Sequence, residues 1–155
     1  MAKKGIVLCL SVFLVCLSIV AHTQEKAQNR EVSERLIAQI DSSSWIAETF
    51  KVSQDNKRIA YSARIGEKWF VVVDGEEGKQ YDGIMEGTPI FSPDSKRVAY
   101  GANVDEKCFV VVDGKEGKRY DGFVRGGRIV FDSPDSLHYL ALIKNSIYLI
   151  EERIQ

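Results

Sequence analysis

Few side chains in this 155-residue chain are of the kinds that carry chemistry, and most of those stand in pairs 39 residues apart. His138 is the exception. Ser133, Asp135 and Ser136 lie near it, which has the makings of a nucleophile, a base and an orienting carboxylate. A catalytic serine of that kind needs a Gly-x-Ser-x-Gly elbow to hold its hydroxyl exposed, and the chain has none. Ser133-Pro134-Asp135-Ser136 therefore reads as a turn. A zinc centre needs three or four His, Cys or carboxylate ligands. Cys108 and His138 are the only Cys and His beyond residue 23, so neither metal nor cofactor is expected. Asp74-Gly75-Glu76-Glu77-Gly78 and Asp113-Gly114-Lys115-Glu116-Gly117 are acidic enough to suggest calcium. They lack the alternating carboxylates of a calcium loop, and Lys115 adds a positive charge, so turn chemistry is the expectation.

Two paired motifs remain. Tyr81-Asp82-Gly83 and Tyr120-Asp121-Gly122 are identical, and could form a surface stripe of Tyr and Asp suited to a protein or glycan. The plainer reading is an aromatic packed between elements, followed by an Asp-Gly turn. Lys57-Arg58 and Lys96-Arg97 could form a basic row along one rim, offset by Glu76, Glu77 and Glu116. A solvated face is the default for such charges. These eight residues (Tyr81, Asp82, Tyr120, Asp121, Lys57, Arg58, Lys96 and Arg97) are the candidate binding surface.

The pairing comes from a repeat. Between residues 51–83 and 90–122, 21 of 33 aligned positions are identical without a gap. A third copy starts near Arg128, where Ser133-Pro134-Asp135-Ser136 repeats Ser92-Pro93-Asp94-Ser95 after one inserted residue, Asp132. Each copy reads as four short strands. In the second these are Pro89 to Ser92, Arg97 to Val104, Lys107 to Asp113 and roughly Lys118 to Val124. Pro93-Asp94-Ser95 makes the first turn, with proline fixing φ and Asp and Ser bonding nearby backbone. In the third copy, Tyr139 to Ile143 and Ile147 to Glu151 are the next strands, joined at Lys144-Asn145-Ser146. The run Cys108 to Val112 is apolar on both faces, so its strand must be covered on both sides. Short strands at a period near 40 point to β-propeller blades. The expected fold is all-β: a partial β-propeller of about three four-stranded antiparallel blades, over 45–88, 89–127 and 128–151. A sandwich of duplicated hairpins is the alternative.

Phe91-Ser92-Pro93-Asp94-Ser95-Lys96-Arg97-Val98-Ala99-Tyr100 and, more loosely, Val52 to Tyr61 resemble the WD-repeat-like, TolB-type β-propeller repeat. That pattern is an aromatic, Ser-Pro-Asp-Gly, a basic pair and an apolar-Ala-aromatic strand. Asn56 and Ser95 stand where it has glycine, and Gln54 where it has proline. The resemblance covers about residues 45–151. It implies a rigid interaction platform, with no room for the α/β or hydrolase domains that accompany such propellers elsewhere.

Lys3 and Lys4 followed by the uncharged run Ile6 to Ala21 have the layout of a secretory signal peptide, with cleavage after Thr23. An uncleaved anchor over 6–21 is the alternative, and Leu8 and Val15 are too large to precede a lipidated cysteine. Removal of 1–23 leaves 19 basic against 22 acidic residues and Cys108 as a single thiol, expected to be buried. Near-neutral charge argues against nucleic acid as a partner. Val32, Leu36 and Ile40 have the spacing of a short amphipathic helix, so 24–44 reads as a linker or helix to about Ile40, with a strand from Trp45.

The expected function is that of an exported, non-catalytic scaffold in the periplasm or outside the cell, binding a protein or other ligand. The alternative is an enzyme acting on carbohydrate or ester through Asp82 and Asp121. At a period of 39, some 132 residues make about three blades, fewer than a closed propeller needs. Exposed end faces then predict self-association, for instance a homodimer completing a six-bladed ring.

Overall fold

Among the described residues the apolar runs of the repeats form strands, and the strands assemble into three antiparallel sheets. The computed structural model describes residues 31–155, so the leader and anchor readings of 1–23 lie outside the described residues. The strands are β1 (Lys51–Val52), β2 (Ile59–Ile65), β3 (Lys68–Val73), β4 (Glu76–Glu77), β5 (Gly83–Ile84), β6 (Ile90–Phe91) and β7 (Val98–Val104). They continue as β8 (Lys107–Val112), β9 (Lys115–Glu116), β10 (Gly122–Phe123), β11 (Val130–Ser133), β12 (Ser136–Ile143) and β13 (Ser146–Arg153). The first sheet has the order β1-β2-β3-β4. The second is β5-β7-β8-β9 with β6 also on β7, and the third is β10-β12-β11 with β13 on β12. The described residues are thus all-β, and residues 35–155 form one unit.

The sheets stack face on face, because alternate residues of each strand are apolar on both sides. Ala60, Val71 and Tyr81 of the first sheet bury against Val98, Tyr100, Ala102, Phe109 and Val111 of the second. Ala99, Val110, Val112 and Tyr120 of the second bury against Leu137, Tyr139 and Ala141 of the third. Edge-to-face aromatic pairs fix both contacts: Tyr81 on Tyr100 and Phe109, and Tyr120 and Phe123 on Tyr139. Such pairs add about 0.5–1.5 kcal/mol each beyond area burial. The second sheet is covered on both faces. The first covers its other face with its own residues, since Trp45 and Phe50 pack on Tyr61, Ala63, Phe70 and Val72.

Four expectations change. The strand expected over Lys118 to Val124 is divided between two sheets: Tyr120 bridges to Cys108 in the second, and Gly122–Phe123 pairs with Leu142 and Ala141 in the third. Residues 83–84 do the same one repeat earlier, on Asn103 and Ala102. Trp45 starts no strand. It makes one bridge to Ala63, and a 3-10 turn over Ala47–Thr49 follows. No helix forms over 31–40, and the part of that expectation over 24–30 lies outside the described residues. Val32 and Leu36 are exposed, Leu36 by 77%, so the apolar stripe has no surface to cover and a short helix lacks its main stabilisation.

The third copy also turns differently. Ser133 pairs directly with Ser136 across Pro134-Asp135, after a bulge between Phe131 and Ser133. The bulge absorbs the inserted residue and the tighter turn removes it, so the offset of 39 is restored by Tyr139 and Ala141. In the first two copies the turn is longer. Ser92 Oγ donates to Asp94 at 2.6 Å and accepts from the Arg97 amide at 2.9 Å, and Ser53 does the same with Asp55 and Arg58 at 2.6 and 3.0 Å. Asn56 and Ser95 have φ of 56° and 65°, the left-handed conformation that glycine adopts without strain.

Candidate functional site

The Tyr-Asp-Gly motif is the crossing point between sheets. Tyr81 exchanges backbone hydrogen bonds with Trp69 of the first sheet, and the next amide, Asp82, donates to the Asn103 carbonyl of the second. Tyr120 and Asp121 do the same with Cys108 and Leu142. The tyrosine rings point into the stack and are 2% and 5% exposed, so they form no surface stripe. Tyr81 Oη is buried without a hydrogen-bond partner among the described residues.

Asp82 and Asp121 clamp the same crossings from outside. Asp82 Oδ1 accepts from Lys68 Nζ at 2.6 Å, and its Oδ2 accepts from the Asp105 amide at 3.0 Å. Asp121 meets Lys107 Nζ and the Lys144 amide, both at 2.5 Å. Each carboxylate therefore joins a lysine of its own sheet to the hairpin turn of the next. That turn holds its residues at positive φ (Asp105 49°, Glu106 62°, Lys144 54°). The lysine hydrogen bond, then the turn amide, hold both carboxyls below the ordinary range, so both are ionised at neutral pH. A carboxylate held this way is a poor general acid. Its oxygens already have partners, unlike the free pair the carbohydrate or ester reading requires.

The two arginines make a second row of links. Arg58 donates from Nε to Asp74 at 2.7 Å and from Nη1 to the Ser95 and Lys96 carbonyls of the next sheet's turn. Arg97 donates to Asp113 at 3.0 Å and to Asp135 at 2.9 Å in the third sheet. Asp74 and Asp113 also accept the Ile59 and Val98 amides, at 2.9 and 3.0 Å. The Asp-Gly loops are accordingly anchors for strand starts. Of the expected basic row, Lys57 and Lys96 are exposed at the surface, and Lys96 pairs with Asp94 at 3.5 Å.

Ser133 and Ser136 bond each other at 2.8 Å, and His138 Nδ1 faces Asp132 at 2.8 Å, so His138 and the two serines do not form a triad. Cys108 is half-buried rather than buried, and desolvation pushes its thiol up. Among the described residues no group of His, Cys, Asp and Glu could hold a metal ion, and no helix is long and apolar enough to cross a membrane.

The surface that the repeat does not account for is a cleft of about 730 Å³ between the segments interrupting the outer strand of each sheet. Lys51, Glu86, Thr88, Phe123, Arg125 and Arg128 line it. None of its three cations is in an ion pair with a described residue. Sequence reasoning missed this site. Apart from Lys51, its residues come from the weakly matching stretches 84–91 and 123–129, and the signal was the excess of Arg and Gly in Val124-Arg125-Gly126-Gly127-Arg128. No family model, no curated protein and no solved structure matches the chain.

Proposed function

We propose that the chain is an exported, non-catalytic scaffold of β-propeller-type repeats, and that it binds a partner carrying an anionic group. One observation carries this reading. The Tyr-Asp pairs and the arginines preserved between repeats tie sheet to sheet, and the preserved Asp-Gly loops anchor strand starts within each sheet. What distinguishes one repeat from another lies around the cleft. A platform is built in that way: an invariant frame and a variable mouth. The propeller assignment rests on the period, on successive sheets packing face to face, and on the chain crossing at each Tyr-Asp. The export assignment rests on the leader-like residues 1–23.

The test replaces Lys51, Arg125 and Arg128 together by Ala in the exported chain. Proteins of the same compartment that co-purify with the parent chain are expected to be lost with this variant, at unchanged melting temperature. An identical set on both would contradict the cleft. The competing enzymatic reading is tested by Asp82→Asn with Asp121→Asn on glycoside and ester substrates. Turnover by the parent chain that the double variant loses would overturn the scaffold reading.

A further inference from the structure

The two junctions between sheets follow one repeat, yet at one place they are filled differently. At the second junction Tyr139 Oη donates to Glu152 Oε1, and Leu137 and Ile154 join the same apolar cluster. The corresponding residues of the first junction, 39 positions earlier, are Tyr100, Asp113, Val98 and Lys115. Val98 is smaller than leucine, and Lys115 is exposed. Asp113 is shorter than glutamate, and both its oxygens are engaged at the strand start, Oδ1 by the Val98 amide and Oδ2 by Arg97, each at 3.0 Å. What these side chains leave is a cavity of about 420 Å³ between the first and second sheets. Val71, Val73 and Val98 wall it, buried Tyr100 lies at its inner end, and exposed Glu76 and Glu77 lie at its mouth.

Tyr100 is 3% exposed, and its Oη lies 3.4 Å from where a side chain on Gly78, another lining residue, would begin. The hydroxyl is therefore aimed into the cavity. Tyr81 Oη beside it has no partner among the described residues, so the two hydroxyls do not bond each other, and Asp113 does not take the part of Glu152. A buried hydroxyl at the end of an apolar cavity calls for a ligand atom that hydrogen-bonds to it. Asp74 and Asp113 are neutralised by Arg58 and Arg97, at 2.7 and 3.0 Å. Glu76 and Glu77 are in no ion pair with a described residue, so they leave the mouth negative. We propose that this cavity binds a small primary amine with an apolar body and a hydroxyl or carbonyl at its far end. The ammonium meets Glu76 and Glu77, the body packs on the three valines, and the far oxygen bonds Tyr100 Oη. The volume is in the range of small-molecule pockets, and the mouth charge disfavours an anion of the same shape. The proposal is independent of the cleft, and either can fail without the other.

The test is titration of the chain with tyramine, followed by amide NMR shifts, with phenethylamine and 3-(4-hydroxyphenyl)propionate as the probes lacking the hydroxyl and the positive charge. Tyramine is expected to bind with a dissociation constant of about 1 mM or tighter, and to shift the Gly78 and Gly114 amides. Phenethylamine is expected to bind at least about 5-fold more weakly, and the propionate not measurably. Tyr100→Phe should weaken tyramine to the level of phenethylamine and leave phenethylamine unchanged. Glu76→Gln with Glu77→Gln should weaken both amines. Val98→Leu, which copies Leu137, should abolish binding at unchanged or raised melting temperature. The variant with Ala at Lys51, Arg125 and Arg128 should bind tyramine as the parent chain does. No tyramine binding by the parent chain, equal binding of the propionate, or tyramine binding indifferent to both Tyr100→Phe and Val98→Leu would overturn the proposal.

Discussion

At the scale of single residues, identical side chains serve identical joints. Tyr81 fills the gap between first and second sheets with its ring, and its hydroxyl has no partner among the described residues. Tyr81→Phe is therefore expected to leave stability unchanged or raise it by less than about 1 kcal/mol, while Tyr81→Ala costs about 3–5 kcal/mol; thermal unfolding of the two variants checks this. Asp82 and Asp121 contribute to acid stability. Their folded pKa values lie below the ordinary 3.8, so their contribution is complete above that value and is lost as the pH falls through the folded values. Melting temperature followed from pH 7 to 2.5 is expected to drop below about pH 4. The double Asn variant should start lower at pH 7 and show a shallower acid slope. Arg97 reaches two carboxylates on two elements, Asp113 and Asp135, and Arg97→Lys is not expected to replace it, because one ammonium lacks the planar fork that spans both.

At the scale of elements, the repeat was legible and its hydrogen-bonding partners were not. The alternation of Val110 and Val112 with Phe109 and Val111 announced a strand covered on both faces, and β8 is that strand. Asn56 and Ser95 are held in the left-handed conformation, at φ of 56° and 65°. Asn56→Val, which puts a β-branched residue there, is expected to cost about 1–2 kcal/mol by denaturant unfolding. What periodicity could not give was the division of Lys118 to Val124 between two sheets, since a strand's sequence does not say which neighbour it pairs with. The Tyr-Asp motif looked like a surface stripe for the same reason: the backbone crosses between its two residues. The helix expected to about Ile40 had the right spacing and no surface to bury it. The cleft was hidden because the signal used, identity between copies, is weakest where its residues lie. Gly101 and Leu140 hold one repeat position with opposite consequences. Gly101→Leu is expected to cost at least about 1–3 kcal/mol by driving into Phe123, whereas Leu140→Gly costs about 1 kcal/mol; equal costs would contradict the packing described.

At the scale of the whole molecule, three sheets that individually lack a covered core become one unit of residues 35–155. The second sheet, enclosed by the other two, should have the slowest-exchanging amides, and β13 beside the open face faster ones. The central claim is that Asp82 and Asp121 join consecutive sheets, so that the repeated residues are frame. The Asp105 and Lys144 amides test it most directly, because they lie in exposed turns and their acceptors in the neighbouring crossings are these two carboxylates. Native-state hydrogen exchange is expected to show both protected in the parent chain. Asp82→Ala should release Asp105 and leave Lys144 protected, and Asp121→Ala should do the reverse. Fast exchange of both amides in the parent chain, or protection indifferent to these substitutions, would contradict the account.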